Sequence, residues 1–415
     1  MIMNNRTLIL ICDQYPHSAG EFFIDDEMRV IAPKFDKVMI YTASANTGKN
    51  LNRFVPDNAE VISFSRTKLE ASKLKSVFRI FMPMFISEFF FAMKKLSLKY
   101  WFCAFKIMYV DIHRATNLKK ELVDLCKAKN IDMSDCLFYS YWHDYKALSL
   151  AMMRGKNTKI KCIARAHGGD NFRNRFIPPY LPFKRFIISY LDCTFTISNK
   201  GKTEFCQYNC RNEKVKVSHL GKLNSRLPVF EKKDSNKVII VSCSSLILDK
   251  RVDLIIEVIS SLKRVDIEWH HFGNGELADY IISYARERLV NVKYRFWGEV
   301  ENNIILDFYA NNYVDLFINL SMWEGIPVSI MEALSSGIPV LATDVGGTSE
   351  AVNDKIGFLV PANFECSKVS TIINNYLNMP AVEQKRYRQR AYQFWKENYE
   401  AGVNFREFCD FLNNL

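Results

Sequence analysis

Residues 321–350 read SMWEGIPVSIMEALSSGIPVLATDVGGTSE, and they follow a short apolar, β-prone run from Val314 to Leu320 that has the pattern of a buried strand. Pro327 stands where a first helical residue is expected, with φ already set and no N–H to lose. Val328, Met331, Ala333 and Leu334 then supply the apolar face of a short helix. Gly337 marks its stop, Pro339 lies just beyond, and Val340 to Ala342 is the next strand. Gly346 and Gly347 open a second loop, after which Thr348 or Ser349 is placed to cap a helix beginning near Glu350.

Both loops run from strand to helix, so both belong on the carboxyl edge of a parallel sheet, where open α/β sheets bind their ligands. A helix start offers unpaired N–H groups and a partial positive charge, which suits a phosphate. Two carboxylates join this anion-friendly edge: Glu324 in the loop and Glu332 on the helix. Carboxylates accept hydrogen bonds from hydroxyls rather than holding phosphate. Phosphate donors beside two hydroxyl acceptors suit a nucleotide that carries a sugar.

The run Glu324, Gly325, Pro327, Ser329, Glu332, Ala333, Gly337, Pro339 and Val340, with Val345, Gly346, Gly347 and Glu350 downstream, resembles the E-x7-E signature of retaining family 4 glycosyltransferases, of the bacterial surface-polysaccharide type. The resemblance implies the α/β GT-B fold, two Rossmann-like domains facing across a cleft. It implies an acceptor-side domain over 1–222, a linker over 223–236, a nucleotide-sugar domain over 237–380, and C-terminal helices over 381–415 that cross back to the first domain. The implied reaction is retaining transfer of a hexose from a nucleotide-diphosphate sugar to a lipid-linked or saccharide acceptor. Capsule, O-antigen or exopolysaccharide synthesis is the implied setting, with no metal and no other cofactor.

The same resemblance implies roles. Glu332 accepts from the ribose hydroxyls and Glu324 from the donor sugar, with Gly325, Ile326, Pro327 and Val328 on the donor side of the first loop and Gly346 and Gly347 on that of the second. Residues 250–253 resemble the family's diphosphate-binding segment. Lys250 matches its lysine, Ser245 stands where an arginine is usual, and Arg251 stands where a glycine is usual. Gly273, within Gly273-Asn274-Gly275-Glu276, and Gly298 resemble the glycines beside the nucleotide. In the first half, His167, within Arg165-Ala166-His167-Gly168-Gly169-Asp170, resembles the histidine that faces the donor sugar. Gly20 resembles the glycine of the loop after strand one. Lys250, Glu324 and His167 form the implied catalytic set, with Lys250 and the helix starts meeting the charge that develops on the leaving diphosphate.

Composition sets the remaining bounds. A chain of 415 residues suits two domains of about 200 each. The net charge of +11 is concentrated: residues 66–120 hold twelve Lys/Arg against three Asp/Glu. No nucleic-acid module accompanies that charge, so nucleic acid is not among the expected partners. Within the basic segment, Val77 to Met93 is strongly apolar but carries Arg79, Pro83 and Glu88 and sits at the lower length limit for a membrane span. It reads as a buried helix pair, as an interfacial helix that lies, with Lys94, Lys95 and Lys99, on an anionic membrane, or as both on different faces. Leu8 to Cys12 is too short an apolar core for a secretory signal and runs into Asp13, which fits a cytoplasmic chain, peripheral on the inner membrane face in the interfacial reading. The eleven cysteines are scattered, mostly in apolar runs, and fit buried hydrophobes in a reducing compartment. No carboxylate cluster has metal spacing. Two rivals accompany the transferase reading: a catalytically impaired sugar-nucleotide-binding protein, favoured by Ser245, and a glycosidase using Glu324 and Glu332 as paired acid and base. The second has no need of Lys250 or of phosphate-binding helix starts.

Overall fold

A computed structural model describes residues 6–17, 20–43, 53–64, 77–207, 212–232, 237–262, 264 and 266–415. Residues 66–76 of the basic segment and 233–236 of the expected linker lie outside the described residues. The short apolar runs become parallel strands, most of them buried on both faces, as in sheets covered by helices. The first sheet comprises β1 (Thr7–Cys12), β2 (Lys37–Thr42), β3 (Ala59–Ser63), β4 (Cys136–Ser140), β5 (Lys161–Ala166), β6 (Cys193–Thr196) and β7 (Val215–Val217). Their spatial order is β3-β2-β1-β4-β5-β6-β7. The second comprises β8 (Val238–Cys243), β9 (Ile267–Phe272), β10 (Lys293–Phe296), β11 (Leu316–Asn319), β12 (Val340–Thr343) and β13 (Gly357–Val360), in the order β10-β9-β8-β11-β12-β13. Each is a doubly wound, Rossmann-like sheet. The strand order reverses between β1 and β4 and between β8 and β11, and ligands bind beyond the carboxyl ends of strands at such a switch point.

Two units follow from the contacts: Met1–His219 with Phe405–Leu415, and Leu220–Asn404. Leu220 to Lys222, expected at the end of the first domain, therefore go with the second. Of the C-terminal helices, Ala381–Asn398 stays with the second unit, and only the chain from Phe405 onward joins the first. In the first unit Phe408 packs edge-on against Phe195 at 4.9 Å, and Phe405, Phe408, Cys409 and Leu412 are buried.

Local chemistry explains where elements begin. The helix after the β1 loop starts at Ile24 and does not include Glu21, which sits at φ 59°, a left-handed conformation that no α-helix contains. Pro327 is the residue before the helix Val328–Ser335 rather than its first member. Gly347, not Thr348 or Ser349, is the residue before the helix Thr348–Ala351. Residues 77–95 form a short turn, Val77–Phe81, and a helix, Pro83–Lys95, with Met82 extended between them at ψ 133°. The proline ring disfavours helical backbone at the residue before it, so the apolar run breaks there. The run has a buried side and an exposed one, as the two-faced sequence reading allows: Phe85 is buried, whereas Phe78, Phe81 and Phe90 are exposed. Among the described residues no helix is long and apolar enough to cross a membrane.

Candidate functional site

The carboxyl ends of β8 and β11, neighbours at the switch point, carry the residues that the sequence singles out. After β8 a short turn, Leu248–Lys250, delivers Lys250; after β11 the loop delivers Glu324. Lys250 Nζ donates to Glu324 Oε1 at 2.6 Å, and Asn319 Nδ2 approaches the same oxygen at 3.4 Å. The backbone locks this pairing. Met322 N–H donates to Asp249 O at 2.8 Å, so the two loops are joined next to the ion pair. Gly347 N–H donates to Gly325 O at 2.6 Å, which brings the β12 loop onto the β11 loop. Gly346 lies at φ 55°, and a Cβ there would stand 1.7 Å from Glu324 O, so only glycine fits. Ile326 and Pro327 are buried beneath the loop, and Val328 begins the helix whose first N–H groups lack intrahelical partners.

The nucleotide-side glycines form a second clasp. Gly273 N–H donates to Gly298 O at 2.8 Å, and a Cβ on Gly273 would meet Ser244 O at 1.9 Å and approach Ser245 N at 3.5 Å. Ser245 itself is exposed. Arg251 does not stand in for the arginine whose place Ser245 takes. It occupies the left-handed region at φ 48°, and its guanidinium donates to the carbonyls of Leu320 at 2.5 Å, Ser321 at 3.1 Å and Ala362 at 2.7 Å. The left-handed backbone is the physical reason a glycine suits this position. Here an arginine holds it and uses its side chain to tie the β8 and β11 loops together.

Glu332 is buried on the helix Val328–Ser335 and has partners that sequence reasoning did not find. Asn302 Nδ2 donates to Glu332 Oε1 at 2.6 Å, Lys222 Nζ lies 3.6 Å from the same oxygen, and Lys222 Nζ donates to Asn302 Oδ1 at 2.6 Å. Lys222 comes from the segment that enters the unit, where its N–H donates to Tyr399 O at 2.8 Å. Nothing in the local sequence marks Lys222 or Asn302, since each meets Glu332 only through the tertiary fold.

In the first unit, His167 directly follows β5 and is buried among aromatic rings, with Phe23 at 5.2 Å, Tyr141 at 5.1 Å and Trp142 at 4.7 Å between centroids. Asp170 turns back onto this strand end, its Oδ2 accepting from the N–H groups of His167 at 3.1 Å and His143 at 3.2 Å. Gly20 lies in the loop after β1, its carbonyl held by Arg53 at 3.0 Å. The residue that orders this loop is one that the sequence did not flag: Glu21. Its carboxylate accepts the N–H groups of Asp13 at 3.0 Å, Gln14 at 2.6 Å and Tyr15 at 2.8 Å, and also the Trp142 indole. Three amides of the loop thus face a carboxylate of the chain itself, and Trp142 links that carboxylate to the His167 ring.

Burial, helped by the Arg165 guanidinium, pushes His167 down to about 3, so its imidazole is neutral at physiological pH. Burial pushes Asp170 up to about 6. The two act oppositely on stability. The unfolded chain protonates His167 below 6.5 while the folded chain does not, so stability is lost as pH falls from 6.5 towards 3. Folded Asp170 takes its proton near 6 and the unfolded chain only near 3.8, so it adds stability as pH falls across that narrower window. A His167→Gln variant is therefore expected to lose less stability than the wild type between pH 7 and about 4.5, as read by urea unfolding at both values. Equal losses in the two proteins would contradict the neutral, buried imidazole.

The family described as glycosyl transferases, group 1, matches over residues 225–394. WcaL of Escherichia coli strain K12, named as a colanic acid biosynthesis glycosyltransferase, is 29% identical over 284 residues, 65% of this chain and 67% of the relative. The O-antigen biosynthesis glycosyltransferase WbnH of Escherichia coli is 28% identical over 250 residues, 58% of this chain and 67% of the relative. Among solved structures, Anabaena HepE in complex with UDP-glucose is similar with a TM-score of 0.67 at 15% identity, covering 98% of this chain and all of that one. The fold is thus that of the GT-B glycosyltransferases, with two Rossmann-like units.

Proposed function

We propose that this chain is a retaining, metal-independent hexosyltransferase that moves a sugar from a nucleotide-diphosphate donor to a lipid-linked or saccharide acceptor. The setting is cell-surface polysaccharide synthesis, in the cytoplasm or at the inner face of the cytoplasmic membrane. The observation that carries this reading is the Lys250–Glu324 pair of 2.6 Å at the carboxyl ends of β8 and β11. The names of the relatives and the match over residues 225–394 support it.

The barrier lies in breaking the anomeric C–O bond, which leaves positive charge on the sugar and negative charge on the departing diphosphate. Lys250 and the helix starts after β11 and β12 meet the negative charge, the larger electrostatic contribution. A diphosphate that reaches Lys250 competes with Glu324 for the ammonium, which frees the Glu324 carboxylate to accept from donor-sugar hydroxyls. Glu332 accepts from the ribose, oriented by Asn302. The neutral His167 serves as a hydrogen-bonding partner rather than as a proton donor. In this reading the leaving phosphate itself takes the acceptor proton.

The test is turnover of radiolabelled UDP-, GDP- and ADP-sugars with and without EDTA, alongside donor affinity of Glu332→Ala. Transfer that survives the chelator, and a weakening of donor binding by about 1.5–3 kcal/mol for each ribose hydrogen bond lost, are expected. Activity lost in EDTA and restored by magnesium, or wild-type affinity in Glu332→Ala, would overturn the corresponding part. A second reading, donor binding without turnover, draws on exposed Ser245 in the usual arginine place and on the commitment of Arg251 to backbone carbonyls. Bound donor without product would select it.

A further inference from the structure

Helix Pro83–Lys95 inverts the usual order of a surface helix. Its inner face is ordinary: Phe85 packs edge-on against Phe105 at 5.4 Å, and Glu88 is buried, accepting from the Tyr180 hydroxyl at 2.8 Å. Its outer stripe, at helical spacing, is Pro83, Ile86, Phe90 and Lys94, all exposed. The elements on either side extend this apolar surface. Phe78 is 75% exposed and Phe81 66% in the turn before the helix, Phe90 57% on it, and Leu98 72% and Phe102 78% after it. Scattered exposed apolar residues are ordinary, but a group this dense within one stretch of chain marks an interaction surface.

Charge identifies the occupant. Across residues 77–110 the basic residues are Arg79, Lys94, Lys95, Lys99 and Lys106, and the one acidic residue is Glu88, which faces inward. Among the described residues 77–110, no exposed carboxylate interrupts the run. A second copy of this chain would bring the same positive charge to the contact, so self-association is opposed. We propose that this face docks reversibly on an anionic lipid bilayer, the phenylalanines and Leu98 entering the acyl boundary and the lysines pairing with headgroups. The assignment rests on residues outside the Lys250–Glu324 site and does not depend on the proposed transferase activity.

The test is co-sedimentation of the full chain with vesicles of neutral phosphatidylcholine alone or mixed with anionic phosphatidylglycerol. Binding to the anionic vesicles only, falling steeply as salt rises from about 0.05 to 0.5 M, is expected. Replacing Lys94, Lys95 and Lys99 together by Glu is expected to lower the partition coefficient by at least a hundredfold, at about fivefold for each charge removed. A separate Phe90→Ser, Phe102→Ser variant is expected to weaken binding without removing its salt dependence. Both variants change exposed side chains, and unchanged thermal melts establish that they fold. No sedimentation, equal sedimentation with neutral and anionic vesicles, or binding that both variants retain overturns the proposal. So does concentration-dependent self-association that either variant abolishes, which would make a second copy the occupant.

Discussion

Lys250→Ala is expected to lower kcat by about 10²–10³-fold, the cost of removing one preorganised donor from a developing anion. Lys250 is the cation that the structure sets at the switch-point end of β8, 2.6 Å from Glu324. In the proposed reaction its contribution grows as charge moves onto the leaving diphosphate, so the loss should fall mainly on kcat and less on donor affinity. Stability should change little, because the pair is partly solvated and pairs of that kind are worth about 0–1 kcal/mol. Steady-state kinetics with thermal melts of the same variant separate the effects. Unchanged turnover in a folded variant would remove Lys250 from the chemistry and undercut the role given to the β8 loop. Lys250→Arg is a sharper companion, because it keeps the charge but replaces a compact ammonium with a planar fork.

Arg165→Met is expected to destabilise the first unit by about 3–5 kcal/mol, a large share of the roughly 5–15 kcal/mol that holds a domain together. Arg165 and Glu27 are both fully buried, 3.2 Å apart. Arg165 donates to the Tyr139 hydroxyl at 2.6 Å and to Ser218 O at 2.8 Å, while Tyr139 and Tyr141 each donate to Glu27 at 2.8 Å. Removing the arginine leaves buried Glu27 with its two tyrosine hydroxyls but without its cation, and breaking one side of a buried pair costs more than the pair itself contributes. Adding Glu27→Gln should recover part of the loss, since the amide removes the stranded charge and still accepts from a tyrosine. Denaturant unfolding of the single and double variants checks this. A loss below about 1 kcal/mol for Arg165→Met would mean that water reaches the pair.

The strand–loop–helix–strand unit of 321–350 could be read from sequence because its signals are local. Gly337 and Gly346 sit at φ 67° and 55°, where glycine is strongly favoured, and Pro327 precedes its helix within one position of expectation. Lys250 and Glu324 each stand at a motif position in the sequence, but their 2.6 Å contact joins residues far apart in sequence and belongs to the sheet order. Glu21, Asn302 and Lys222 were invisible for the same reason. A glutamate that accepts three loop amides looks, in sequence, like any glutamate opening a helix. The inverted face of Pro83–Lys95 stayed ambiguous because a buried apolar stripe and an exposed one have the same periodicity.

The return of Phe405–Leu415 to the first unit has a consequence for how the protein is made. Phe408 stacks its ring beneath the Arg165 guanidinium at 4.8 Å, and Arg6 donates to Leu412 O at 3.3 Å, so segments on either side of the second unit in the sequence meet within the first unit. Domains of a nascent chain ordinarily fold in the order in which they leave the ribosome. Here the first sheet emerges before the second unit but lacks part of its covering until the segment Phe405–Leu415 has followed that unit. During translation the buried charge of Arg165 and the apolar side of Phe195 await a segment made only after the second unit. The vulnerable interval for aggregation thus belongs to the unit made first, and a ribosome stalled within the second unit would hold the first one incomplete.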